Sequence, residues 1–358
     1  MKILMLADGQ SVHTRRYQAE MKKQGSEIIL AGIEAGEATD IKLPRPTGIM
    51  IFDYILASRK LKDIVEEYSP DIVNPHFACG YGFMTGLSGV WKTKPVLLHC
   101  LGSDILVSPQ KSFLHTMRVR YALSRADRTV VDSECLKEAA HKIQPTVEPD
   151  VIPWGADAEA FEIFNQRIKA DNSAKRPLRI IVPRPHYKVY NNFFIINSLY
   201  ELINDGRIVI TFPKWGSLYG DFANVCREKC RPGGIGFYEF MDRTEFNKFL
   251  LNFDCYLSAS RSDSSPASLI EAMAAGLYPV VADISGVREW VNENNAGLFN
   301  LERPETLRDV IDNLLDGTVD IKSVIAENHK LAKGKAVFSE NIRATLHIMQ
   351  EMVSHGKE

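Results

Sequence analysis

Two carboxylates, Asp263 and Glu271, bracket a run of small residues within Ser258–Glu289. Asp263 stands on a polar loop, Ser260 to Ser265, after the short apolar segment Asp254-Cys255-Tyr256-Leu257-Ser258. Such a β-prone segment suits a buried parallel strand. Pro266 fits the first turn of a helix, where its missing N–H costs nothing. Ser268 to Ala275 carries strong helix formers, and Gly276 tolerates the left-handed cap that ends the run. Tyr278-Pro279-Val280-Val281-Ala282 reads as the next strand. Glu271 is therefore one turn inside a helix whose start holds Ser264, Ser265, Ala267 and Ser268. The N–H groups and dipole of a helix start favour an anion. An anion seat flanked by two carboxylates that accept from hydroxyls suits a ligand with phosphates and diols. A nucleotide diphosphate sugar has that chemistry, and ligands of open α/β sheets sit at such strand ends.

The same stretch resembles the signature of retaining glycosyltransferases of family 4, which have the GT-B fold. That signature runs acidic residue, seven residues, Glu, Ala-Met-Ala, a spacer, Gly and a Pro-Val-Val-Ala strand. Asp263, Glu271, Ala272-Met273-Ala274, Gly276 and Pro279-Val280-Val281-Ala282 follow it. Asp263-Ser264-Ser265 departs from the Glu and Gly-rich sequence usual there. The resemblance implies an α/β chain of two Rossmann-like domains facing across a cleft. It also implies a C-terminal helix packing back on the N-terminal domain. On that pattern Glu271 binds ribose hydroxyls and Asp263 the donor sugar, near Ser265, Ala267 and Ser268. Taken without its neighbours, Glu271 is equally a surface helix carboxylate in i,i+4 contacts.

Composition sets the outer limits. The chain has 358 residues, a comfortable length for two domains. Its 45% hydrophobic and 25% charged content is ordinary for a soluble globular protein. The formal net charge of -2 gives no case for nucleic acid. The start, MKILMLADG, reads as a first strand, its apolar run too short for a signal peptide. No run reaches the length of a transmembrane helix. Six scattered cysteines, with only Cys226 and Cys230 four apart, fit reduced thiols in a cytoplasmic protein rather than a zinc site.

Taken in order, Lys2–Ala7 is a buried strand and Asp8-Gly9-Gln10-Ser11 a tight loop before a helix, Thr14 to Gln24. The loop lacks the second and third glycines of the dinucleotide fingerprint, which argues against a dehydrogenase. In the family this loop and helix border the active cleft, so Gly9 is assigned to the donor side. Ser11-Val12-His13-Thr14-Arg15-Arg16 resembles the family's Ser-x-His-x-x-Arg form, which places His13 and Arg16 in the cleft. His13 is alternatively a surface histidine at a helix start. A helix over Leu56–Tyr68 leads to the strand Asp71–His76. His76 takes the place of the family's strand-end histidine and so joins Asp263 and Arg184 in the catalytic set that the resemblance implies. Phe77 to Gly82 is a loop with two glycines.

After the strand Pro95–Cys100, Leu101-Gly102-Ser103-Asp104 matches the family's Gly-Ser-Asp turn. Many relatives carry a histidine where Leu101 stands; His99 lies two residues deeper. Asp104 has two readings, a cleft residue or a helix cap. The helix Lys111–Ser124 bears Lys111, His115, Arg118 and Arg120, with Arg125 and Arg128 beyond. That stretch is either a contact with an anionic membrane surface or a solvated face. Ile152-Pro153-Trp154-Gly155-Ala156-Asp157 matches the element that closes the first domain.

In the second domain Arg184 follows the strand Leu178–Val182. The family clamps the donor diphosphate with this Arg and a Lys five positions on; Val189 stands there, and Lys188 is one residue short. Tyr190-Asn191 resembles a subgroup in which that lysine is replaced. Ile235–Tyr238 leads to the loop that holds the base in the family, which assigns Tyr238 to the donor. Glu289 is read as a structural turn residue.

These residues divide the chain into an acceptor domain at 1–160, a linker at 161–177, a donor domain at 178–338 and a returning helix at 339–358. The resemblance implies hexosyl transfer from a UDP- or GDP-sugar to a glycan or lipid-linked acceptor, with the anomeric configuration retained. No cofactor and no metal are expected. Surface polysaccharide assembly and a cytoplasmic location, peripheral at the inner membrane face, complete the expectation. A sugar-nucleotide epimerase or hydrolase, and an idle nucleotide-binding partner protein, stand as alternatives. Leu101 and Val189 are the support for the idle reading.

Overall fold

A computed structural model describes residues 1–45, 47–169 and 176–356. It divides into two compact units, Met1–Pro153 with Ser339–Glu358, and Trp154–Phe338.

The first unit is built on parallel strands. Their order is Ile41–Lys42, Glu27–Gly32, Lys2–Leu6 and Ile72–Pro75. Isolated parallel bridges, Val73 to Val96 and His76 to His99, join this sheet to Leu97–His99, Arg128–Val131 and Asp150–Val151. Lys2–Leu6 is buried almost throughout because helices cover both faces of a parallel sheet. Strand order reverses on either side of it. The loop at Gly9 and the strand end at His76 therefore emerge side by side, where a doubly wound sheet opens a crevice.

The second unit is a six-stranded parallel sheet. Its order is Ile235–Tyr238, Ile208–Pro213, Leu178–Ile181, Cys255–Ser258, Tyr278–Ala282 and Gly297–Phe299. Here the order reverses between Leu178–Ile181 and Cys255–Ser258, which pair through Ile180–Cys255 and Ile181–Tyr256. Arg184 and Asp263 follow those two strands, so topology alone brings them to one end of the sheet.

The helix after Asp263 spans Ala267–Ala274, with Pro266 at its cap position, one residue before the expected place. Gly276 ends it at φ +75, and Leu277 N–H reaches back to Ala272 O at 2.9 Å. Leu269, Ile270, Ala272, Met273 and Ala274 are all buried, so the helix is enclosed on every side.

Residues 161–169 differ from the expected linker. Ala158–Arg167 is a helix of the second unit. Ala160, Phe161, Ile163 and Phe164 form its buried face; Glu159, Glu162 and Gln166 on the other face give the segment its polar look. The unit boundary falls at Pro153/Trp154 rather than after 160. Positions 170–175 of the expected linker, and 357–358 of the expected final helix, lie outside the described residues. Arg167 is 8% exposed and spends its guanidinium on three carbonyls: Ala275 at 2.9 Å, Phe253 at 2.5 Å and Leu250 at 2.6 Å. It thus ties the end of the Ala267–Ala274 helix to the residues just before Cys255–Ser258.

Arg167→Met removes three charge-assisted bonds and leaves three carbonyls short of a donor. The loss should be about 3–5 kcal/mol, read as a lower urea midpoint for the second unit.

Candidate functional site

Arg184 and Asp263, brought together by adjacent strands, form an ion pair. Their side chains are 12% and 18% exposed, so neither charge is well solvated. The Tyr190 ring lies over the Arg184 guanidinium at 5.2 Å. Arg184 Nε, though buried, has no hydrogen-bond partner among the described residues. An unsatisfied buried donor beside an ion pair is what an incoming oxyanion would complete.

Glu271 is on the enclosed helix with its side chain only 7% exposed. Arg243 meets it at 2.6 Å and also holds Asp157 at 2.8 and 2.9 Å. Arg243 opens the helix Arg243–Phe249, which Asp242 and Glu245 fix through a reciprocal capping box. Asp157 is set by the turn at Gly155, φ +84, where a Cβ would meet Ala336 O at 2.7 Å. Tyr238, at the end of its strand, is buried against Trp215, Phe246 and Phe249. Burial, and then the Glu271 charge, raise its hydroxyl above the ordinary phenol range.

The small residues at the helix start are engaged from behind. Trp290 Nε1–H donates to Ser265 Oγ at 3.2 Å, and the Ser268 and Tyr256 hydroxyls share a bond of 3.0 Å. Ala267 is half-buried at the first position of the helix. Gly286 presses on the Asp263 loop so closely that a Cβ there would lie 2.2 Å from Asp263 O.

Lys188 is exposed and lines a cavity of about 390 Å³ at the start of the helix Asn192–Asn204. Arg261 lines the same cavity and donates its N–H to Val189 O at 2.9 Å. Position 189 itself therefore carries no cation, yet two flank it.

In the first unit the sequence-selected residues are placed differently. His76 is 2% exposed. Asn74 Nδ2 donates to Leu97 O at 2.7 Å and to His99 Nδ1 at 2.9 Å, while its Oδ1 accepts from His76 Nε2–H at 3.0 Å. His99 then carries its proton on Nε2 and donates to the Tyr17 oxygen at 3.0 Å. Burial holds His76 neutral, its pKa pushed down to about 3; burial, and then the neighbouring His76, lower His99 well below the usual range. Asp104 is fully buried and accepts from Ala78 N–H at 2.7 Å and Leu101 N–H at 3.0 Å. Burial pushes its carboxyl up to about 6 against those bonds. Asp104 is the second residue of the helix Ser103–Leu106, whose cap position is Gly102, so it is neither that helix's cap nor open to solvent; it ties the Ala78 and Leu101 backbones together. Gly9 is buried under the 34–39 loop; its N–H bonds Glu34 O at 2.8 Å and a Cβ would strike Thr39 Oγ1. His13 and Arg16 are on the helix Val12–Lys23, exposed and half-buried respectively.

Arg243, Asp157 and Arg261 were not selected from sequence. The capping box Asp242–Glu245 was legible and fixes where Arg243 starts, but not its partners. Asp157 was visible only as the end of a domain-closing motif, and Arg261 as one residue of a polar loop.

Residues 2–133 match the family model described as Glycosyl transferase 4-like, and residues 228–332 match Glycosyl transferases group 1. No curated protein matches the sequence. Solved structures share the fold over the whole chain. A glycosyltransferase from Rickettsia africae is 17% identical, covers 98% of both chains and has a TM-score of 0.75. Anabaena HepE in complex with UDP is 14% identical over 98% of this chain and 100% of its own, with a TM-score of 0.78. Sucrose-phosphate synthase from Thermosynechococcus elongatus is 12% identical over 99% and 100%, with a TM-score of 0.79. Two Rossmann-like units of the GT-B type, each overlapping a glycosyl transferase model, make this a glycosyltransferase-like chain of the GT-B class.

Gly286→Ala forces the Asp263 loop to move and should cost about 1–3 kcal/mol. Gly220→Ala, inside the helix Tyr219–Lys229 with nothing within 4 Å of the new Cβ, is the control that should not lower the thermal midpoint. The buried histidines give a second test. Their folded pKa values lie below the unfolded one, so their stability is present above about pH 6.5 and lost as pH falls. Asp104, raised to about 6, works oppositely and offsets one of them between about pH 6 and 4. His76 itself contributes a slope of about 1.4 kcal/mol per pH unit over that range, and His76→Gln should abolish that much in urea titrations at a series of pH values.

Proposed function

We propose that this chain is a retaining glycosyltransferase that moves a hexose from a nucleotide-sugar donor to a glycan or lipid-linked acceptor without a bound metal. The C-terminal unit holds the donor in this reading and the N-terminal unit the acceptor. The observation that carries it is a pair of little-exposed carboxylates at one end of one sheet, each held by a guanidinium: Glu271 by the exposed Arg243, and Asp263 by the enclosed Arg184. Each pair keeps a charge ready in a poorly solvated place and can exchange its partner for a ligand group. Ribose hydroxyls go to Glu271, a donor-sugar hydroxyl to Asp263, and the diphosphate to Arg184 and the N–H groups of the Ala267–Ala274 helix start. The unpartnered Arg184 Nε supports the last assignment. Lys188 supplies further positive charge, Tyr238 walls the base beside Glu271, and Gly9 shapes the N-terminal loop. UDP-sugars come first as donors, since HepE was solved with UDP and with UDP-glucose.

Transfer proceeds on one face of the sugar. The bond from C1 to the leaving phosphate oxygen breaks, the acceptor oxygen bonds C1 on the same side, and its proton passes to that phosphate oxygen. The protein supplies positioning and stabilisation of phosphate charge. His13 and Arg16 meet the acceptor. His76 and Asp104, sealed in the core, position the strand ends rather than touch the reacting atoms. The acceptor is membrane-borne, the basic stretch Lys111–Arg128 facing the inner membrane surface, in surface polysaccharide assembly. No helix among the described residues is long and apolar enough to cross a membrane.

Nuclear magnetic resonance of a reaction with candidate UDP- and GDP-sugars tests this. The expected product keeps the donor's anomeric configuration, and nucleotide release depends on acceptor. Arg184→Ala should lower turnover by about 10²–10³-fold with the fold intact. An inverted product contradicts retention. Donor loss without acceptor would favour the epimerase or hydrolase, and nucleotide binding without turnover over a broad panel the idle partner.

A further inference from the structure

The first unit has an apolar face that no described residue of that unit covers. Phe113 is 76% exposed and Leu114 72%, consecutive residues at the start of the helix Phe113–Arg125. Met117, one turn on, is exposed as well. Val119, Ala122 and Leu123 of the same helix are buried in the core. The helix is thus apolar on two sides, and only one side is used for folding. A second helix, Met50–Tyr68, repeats the pattern: Phe52 and Ile55 are exposed while Tyr54, Ala57 and Leu61 are buried. Its apolar start is longer than the Leu56–Tyr68 span read from sequence.

The two exposed sets flank a cavity of about 910 Å³. Ile49, Ile55, Phe83, Leu114 and Met117 are among its walls. Lys111, His115 and Arg118 also line it, and among the described residues no carboxylate does. Asp104 and Asp53 are fully buried, so they do not answer these cations from the surface. The charges act together: burial first, then Arg118 and Lys111, lower the pKa of His115, and Ser112 Oγ holds its Nδ1 at 2.8 Å. The floor carries a strained residue. Phe77 sits at φ +78, a conformation unusual for a bulky residue, where the strand after His76 turns into a π-helical turn, Phe77–Gly82.

We infer that this face docks the protein on an anionic phospholipid bilayer, with Phe113, Leu114, Ile49 and Phe52 in the acyl boundary and a lipid phosphate at Lys111 and Arg118. A soluble monomer seldom leaves so many large apolar side chains together in water, and a bilayer interface satisfies them and the cations at once. A lining that holds three basic side chains and, among the described residues, no carboxylate fits a phosphate-bearing surface and opposes a basic one. The inference deepens the proposed reading by giving the membrane-borne acceptor its landing face. It rests on that reading only for what the docking serves.

Vesicle flotation tests it on the full chain. Vesicles of phosphatidylcholine mixed with phosphatidylglycerol should carry the protein up, and vesicles of phosphatidylcholine alone should carry about tenfold less. The exposed-site variant Phe113→Ser/Leu114→Ser and the charge variant Lys111→Glu/Arg118→Glu should each reduce binding about tenfold or more, with unchanged circular dichroism. Inorganic phosphate should compete no better than chloride at equal ionic strength. Failure of the mixed vesicles to bind overturns the inference. So does binding indifferent to Phe113 and Leu114, which would be electrostatic attraction only, or a stable dimer that the serine variant dissociates. Nucleotide binding by the same variants should match the wild type. If the wild type binds lipid but no nucleotide, the donor reading fails and this one stands.

Discussion

A charge on a helix enclosed by apolar neighbours must have a partner, and Glu271 sets that requirement for the C-terminal unit. Leu269, Ile270, Ala272, Met273 and Ala274 surround it on its own helix. Leaving such a carboxylate unpaired costs several kcal/mol, about 3–5 by the cost of breaking a buried pair. Arg243 meets the requirement and in turn needs Asp157. That chain of need explains the local architecture. A capping box fixes the helix that begins at Arg243, and the Gly155 turn pins Asp157 against residues 336–338. Arg167 holds the far end of the same helix through Ala275 O. An apolar residue at 271 would need none of these parts, and the proposed function gives the carboxylate its reason in a ligand.

The Arg184–Asp263 pair follows the same logic by another route. It arises from the reversal of strand order between Leu178–Ile181 and Cys255–Ser258, which sets the two following loops side by side. Both pairs keep charges at the carboxyl ends of parallel strands, and both can trade a partner for a ligand group. The N-terminal unit treats its polar residues in the opposite way. Asp104 is closed around backbone N–H groups, and Asn74 locks His76 and His99 to Tyr17 with every donor assigned. One set is exchangeable and the other is sealed.

Most of the second unit could be read from the chain. Pro266, the helix formers to Ala275 and Gly276 mark their helix by local chemistry, which acts within a few residues. The strand–loop positions of Arg184 and Asp263 were equally plain. What sequence hid was partnership across distance. Arg243 lies in a readable capping box, yet Glu271 and Asp157 are remote from it in the chain and nothing local names them. The helix Ala158–Arg167 was lost for a different reason: its charged outer face masks a regular apolar inner one. His76 looked accessible because a strand end usually is, and only the packing of Tyr17 and His99 encloses it. The exposed face at Phe52 and Phe113 has no sequence signal at all, since an apolar residue reads the same whether buried or bare.

The central claim is that Glu271 is retained for a nucleotide's ribose. Calorimetric titration of UDP, GDP, ADP and CMP into the wild type and Glu271→Gln tests it most directly. The account predicts one preferred nucleotide, its affinity lowered about 10- to 150-fold by the substitution, as for a lost charged hydrogen bond of roughly 1.5–3 kcal/mol. Absence of binding by the folded wild type, or equal affinity in the two proteins, would contradict it.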